Sequence, residues 1–152
     1  MQIETRFFRG DFIGSEEHFA AGNAYFETRG FKQMRGAETG TFGNASLNAW
    51  CARRVDTARA RSRWALEGSQ RNRFDLMFAK FMTGSLHLNL GEPARAEALA
   101  TEAFAYAQEH GFPELALWSL MLLGGARAEL GSAEGVALLR QAVARAKASG
   151  NF

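Results

Sequence analysis

Apolar residues recur at three- and four-residue spacing along most of the chain, with turn residues between the runs. Val136, Leu139 and Val143 form one such stripe, which predicts a helix between Ser132 and Gly150. Ser132 suits its N-cap, Glu134 its first turn and Gly150 its stop. Pro113 to Leu130 predicts the helix before it, since the N–H missing from a first-position proline has no intrahelical partner there. The same pairing recurs upstream: Phe74 to Leu90, a "GEP" turn, then Ala94 to Glu109 ending at "HGF". A weaker pair covers Phe42 to Arg53 and Thr57 to Ser69. Gln2 to Arg9 has the pattern of a partial helix and Ile13 to Thr28 that of a full one. Gly30 to Thr41, with three glycines, predicts a loop.

The pairs share a register. Each second helix carries two small residues seven apart: Ser15 and Gly22, Ala58 and Ala65, Ala96 and Ala103, Gly135 and Ala142. Each also ends near an aromatic, at "RGF", "RNRF", "HGF" and "GNF". The last two first helices place a glycine seven residues before their turn glycine, Gly84 before Gly91 and Gly124 before Gly131. Small residues seven apart lie on one helical face, where a neighbouring helix can approach closely. This accounts for the adjacent Gly124 and Gly125 inside a strong helix. Each costs about 1 kcal/mol against alanine, and burying one nearby Leu or Phe returns about 1.5–3 kcal/mol. The expectation is an all-α domain of about seven helices, with units near 1–30, 42–71, 74–110 and 113–149 and an incomplete first unit.

These residues resemble tetratricopeptide (TPR) repeats, most closely at "GSLHLNLGEPARAEALATEAF" and "GGARAELGSAEGVALLRQAV" and more loosely at "NASLNAWCARRVDTARARSRWAL". The first unit retains only "FFRGDFIGSEEHFAAGNAYF". The phrasing "FFRGDF", "AYAQEHGFPELALW" and "AELGSAEGVALLRQAVARAKASG" is similar to long-repeat arrays C-terminal to bacterial nucleotide-cyclase-like and LuxR/MalT-type regulators with STAND-class ATPase modules. The resemblance implies a right-handed α-solenoid of antiparallel helix pairs. It also implies a non-catalytic sensing or protein-binding role in bacterial signalling or transcriptional regulation. No cyclase, ATPase or DNA-binding segment is present, so the chain is either a fragment of such a regulator or a free-standing relative.

In a stacked array the first helices line the concave side. Registering them on Ser46, Gly84 and Gly124 predicts a groove of Leu47 and Trp50, then Phe78, Phe81, Ser85 and Asn89, then Trp118, Met121, Gly125 and Glu129. Aromatic anchors of this kind suit a protein or peptide ligand. Phe81 and Met121 stand where some TPR domains carry the polar residues that grip a C-terminal carboxylate, so that mode of binding is not expected. Two other readings stay open. One is homodimerisation through the repeat ends, at Met1–Arg9 and 150–152. The other is a small-molecule sensor or enzyme with an aromatic pocket at Trp50, Phe78 and Trp118.

Composition narrows the chemistry. The chain has 152 residues, a net charge of +2 and a single cysteine, Cys51. That fits one domain without an internal disulfide, in a reducing, cytoplasmic setting, and the charge does not call for a nucleic-acid partner. No apolar run approaches the roughly 20 residues of a membrane span. His18, His87 and His110 lie in separate elements and no metal-ligand spacing occurs, so neither a metal, a cofactor nor a catalytic residue is expected. The glycine-rich "GAETGTFGN" lacks the Lys-Ser/Thr of a phosphate-binding loop. Seven arginines fall between Arg53 and Arg73 against two acids, and Arg54, Arg59, Arg61 and Arg63 mark a basic patch. That patch could serve an acidic partner, or be a solvated face balanced by acids from neighbouring repeats.

Overall fold

A computed structural model describes residues 2–29, 35–70 and 72–150, with side chains for 5–25, 40–70 and 72–150. Every regular element among them is helical. The helices are α1 (Gln2–Phe8), α2 (Phe12–Arg29), α3 (Arg35–Cys51), α4 (Val55–Gly68), α5 (Arg73–Asn89), α6 (Pro93–Glu109), α7 (Pro113–Glu129) and α8 (Ala133–Ala148). The all-α class follows directly. Among the described residues there are eight helices where about seven were expected, because α1, though short, is an element of its own. The aromatics Phe31 and Phe152 lie outside the described residues, as does the 30–34 part of the expected loop. The chain divides into two compact units, Met1–Met82 and Thr83–Phe152, with α5 contributing to each.

The boundaries from α5 onward follow local chemistry. Proline opens α6 and α7. Gly91 and Gly131 take positive φ after α5 and α7, where a side chain would be strained. There the amide of Glu92 bonds to the His87 carbonyl, and that of Ser132 to the Arg127 carbonyl, both at 2.9 Å. The turn after α3 has the same geometry, with Arg54 bonded to Ala49, but Arg53 occupies the positive-φ position.

Packing within each unit runs through the small residues. In the second unit Gly84, Gly124, Gly135, Ala96, Ala103 and Ala142 are all buried. A Cβ on Gly84 would stand 2.9 Å from Leu122 Cδ2 on α7 and 3.4 Å from Leu99 Cβ on α6. One on Gly124 would stand 3.0 Å from the Leu139 amide nitrogen of α8, and one on Gly135 would run into the backbone of Ala128 and Gly124. In the first unit Ser15, Ser46, Ala58 and Ala65 are buried in the same way.

Two expectations are corrected. Gly22 is exposed, and no described atom lies within 4 Å of where its Cβ would be. The helix before it, α1, has only seven residues, too short to pass over two positions seven apart. Residues 35–41 are helical rather than loop. There Gly40 and Gly43 face α5, where their Cβ atoms would lie 3.7 Å from Phe78 Cε1 and 2.9 Å from Met82 Cγ. On α8, Val136 and Val143 are exposed, and the buried face is Gly135, Ala142 and Ala146. Of the stripe that revealed the helix, Leu139 alone turns toward α7, where it lies against Gly124.

Replacing Gly135 with Ala separates close packing from helix propensity. Propensity alone would stabilise α8 by about 1 kcal/mol, but the added methyl collides with backbone. The expected result is a net loss of about 1–3 kcal/mol in urea unfolding. Gly22→Ala, in open space, should instead gain up to about 1 kcal/mol.

Candidate functional site

Trp118, Met121, Gly125 and Glu129 follow one another at three- and four-residue steps, so α7 places them in one band. Glu114, four residues before Trp118, extends it. Trp118 is 41% exposed and Met121 40%; Glu114 and Glu129 are exposed and Gly125 is half-buried. The opposite side of α7 carries the buried Ala116, Ser119, Leu120 and Leu123. On α5, Ser85 and Asn89 stand forty residues before Gly125 and Glu129, in the equivalent band. Asn89 is exposed, and its amide donates to the Ser85 carbonyl at 2.9 Å.

Two contacts align these helices inside the second unit. A Cβ on Gly84 would meet Leu122, and one on Gly125 would lie 3.2 Å from Leu88 Cδ2. Both pairs advance in the same direction along the chain, so the end of α5 runs parallel to α7. The groove residues assigned to this unit therefore lie on adjacent helices. Those of the first unit, Leu47, Trp50, Phe78 and Phe81, are all half-buried. Phe78 and Phe81 stand with ring centroids 6.1 Å apart, and Phe78 also covers Gly40. They serve packing as well as surface. Glu114 and the exposed Phe74 were missed; the forty-residue offset that relates α5 to α7 would have found both.

The arginine patch breaks up in three dimensions. Arg61 is turned inward and held by Glu16 of α2, with contacts of 2.6 and 2.9 Å from its two terminal nitrogens. It also donates to the Ala45 carbonyl at 2.9 Å and lies 4.1 Å over the Phe19 ring. Arg54 stands 3.7 Å from the same carboxylate. Arg59 is half-buried and Arg63 exposed, and Arg71 lies outside the described residues. The face shared by Arg54 and Arg61 thus meets an acid of another helix, so Arg61 is not part of a basic surface.

Asn48, fully buried on α3, completes the cluster. Its amide donates to Glu16 at 2.8 Å and to the Phe12 carbonyl at 3.1 Å, leaving its own carbonyl oxygen with no partner among the described residues. Burial is the largest influence on Glu16 and raises its pKa. The hydrogen bonds from Arg61 and Asn48, with the charges of Arg61 and Arg54, outweigh it and hold the carboxyl below its ordinary value. Three helices are thereby joined around one carboxylate.

The remaining candidates do not converge. His18 is half-buried on α2. His87 Nδ1 sits 2.6 Å from Glu92 Oε2, and the His110 ring stacks on Tyr106 at 4.1 Å. Cys51 is half-buried, and burial pushes its thiol pKa up, away from the reactive thiolate. Among the described residues no group of three His, Cys, Asp or Glu could hold a metal ion, and no helix is long and apolar enough to cross a membrane.

Glu16→Gln should destabilise the first unit by about 2–3 kcal/mol, between an exposed ion pair and a buried one. The sign with pH follows from the lowered folded-state value. The carboxylate stabilises above its unfolded value near 4.5 and loses that contribution as pH falls below it. Stability in the variant should therefore fall less steeply between about pH 5 and 3, as urea unfolding across that range would measure. Arg63→Ala should change stability by less than about 0.5 kcal/mol.

No protein-family model, curated protein or solved structure matches this chain.

Proposed function

We propose that the chain is a TPR-like, right-handed solenoid array that binds a peptide or protein segment along the inner side of its first helices, without catalysis of its own. The observation that carries this reading is the band on α7. A large aromatic and a methionine, Trp118 and Met121, are held about 40% exposed on a helix whose other side is fully packed. Rigid aromatic side chains bury much area at little entropic cost, which is why they dominate binding hot spots. The adjacent Ser85 and Asn89 add polar groups suited to a peptide backbone. The resemblance to regulator arrays supports a cytoplasmic setting in bacterial signalling or transcriptional regulation.

A second reading, self-association, draws on a different surface: Leu130, Val136 and Val143 are 48%, 45% and 39% exposed. Light scattering separates the two. A stable dimer that Val136→Glu with Val143→Glu converts to monomer would favour this second reading.

Selection of random peptides on the full chain tests the first. Trp118→Ala with Met121→Ala should weaken the selected peptides by at least about tenfold while leaving the helical circular dichroism unchanged. Undiminished binding would refute the groove.

A further inference from the structure

The band on α7 has a charge as well as a shape. Its two ends are acidic, Glu114 in the first turn and Glu129 at the last helical residue, and both are exposed. No basic residue falls at the intervening band positions Trp118, Met121 and Gly125, nor at Ser85 and Asn89 on the adjoining end of α5. The nearest arginine on α7, Arg127, points elsewhere. Its Nε bonds to Glu97 at 2.8 Å and one terminal nitrogen to Glu134 at 2.9 Å. Glu114 has an internal explanation, because an acid in a first turn complements the helix dipole. Glu129 does not, because it sits at the negative end, where an acid is unfavourable. Neither glutamate is ion-paired among the described residues.

Resting on the groove reading above, we propose that this face takes a cationic amphipathic peptide segment, with an apolar side chain against Trp118 and Met121 and lysines or arginines reaching Glu114 and Glu129. The two carboxylates stand fifteen residues apart on one helix, about 22 Å at the helical rise. A partner would span them with roughly fifteen residues of helix or seven of extended chain. The chain as a whole carries a net +2, so attraction of a cationic segment would come from this face and not from the overall charge.

The test uses the full chain and three labelled twenty-residue amphipathic helices that share one Leu/Trp pattern, with polar positions all Lys, all Gln or all Glu. Fluorescence anisotropy should give the order Lys, Gln, Glu, with the Lys peptide at least about tenfold tighter than the Gln peptide at low salt. Glu114→Gln with Glu129→Gln should weaken the Lys peptide about four- to tenfold and leave the Gln peptide within twofold. Trp118→Ala should weaken both. Equal binding of the Lys and Gln peptides, both dependent on Trp118, would overturn the cationic preference and leave the groove standing. A Lys preference unmoved by the double glutamine variant would overturn it too, by placing the charge elsewhere. If no peptide depends on Trp118, the groove falls along with it.

Discussion

Within each unit the helices are held by backbone approach at positions that have no room for a side chain. Gly84, Gly124 and Gly135 show the constraint in its strictest form. A single added carbon at each would stand about 3 Å or less from atoms of a neighbouring helix, and at Gly135 those atoms are backbone. Alanine does the same work with slightly more clearance at Ala58, Ala65, Ala96, Ala103 and Ala142, which are at most 1% exposed. Leucines fill the space around these contacts, so close approach and apolar burial reinforce each other. The propensity lost at each glycine is a small fraction of the packing it permits.

This constraint also sets what the sequence can reveal. From α5 onward the helix ends were legible to within one residue or so, because proline, glycine and the turn bonds act locally. The start of α3 was not. The expected loop rested on Gly30, Gly36 and Gly40, yet residues 35–41 are helical, with Gly40 against Phe78 of α5 as Gly43 is against Met82. A glycine in a helix and a glycine in a loop look alike until the partner helix is known. The Val136–Leu139–Val143 stripe located α8 without marking its buried face. It has helical period, yet the side that α8 buries is marked by small residues and not by large ones.

Charge was legible only as far as it was local. Counting arginines from 53 to 73 left open a basic surface or a face balanced by acids of neighbouring helices, and the acid that engages Arg61 lies 45 residues away on α2. Only the fold brings Glu16, Asn48 and Arg61 together, and it places a buried polar cluster where the sequence shows three unrelated residues. Removing either partner of such a pair leaves the other charge poorly solvated. Its presence therefore says more about which helices must meet than about how much stability the pair adds. The band on α7 was legible as a helical face, because it follows from the residue spacing itself. Once Gly84 and Gly124 are aligned, Ser85, Asn89, Trp118, Met121 and Glu129 fall on equivalent faces without any knowledge of tertiary contacts.

The same alignment shows where the two repeats part company. Gly84 and Gly124 agree, as do Leu90-Gly91 and Leu130-Gly131, so backbone approach and turn geometry are held in common. The band positions are not. Phe74 corresponds to Glu114, Phe78 to Trp118, Phe81 to Met121 and Asn89 to Glu129. At both ends an uncharged residue on α5 becomes a carboxylate on α7, and neither carboxylate makes an ion pair among the described residues. Glu114 complements the helix dipole from the first turn of α7, whereas at the exposed Glu129 the dipole opposes the charge. The carboxylate at Glu129 is therefore the feature on which the proposed preference for a cationic segment rests.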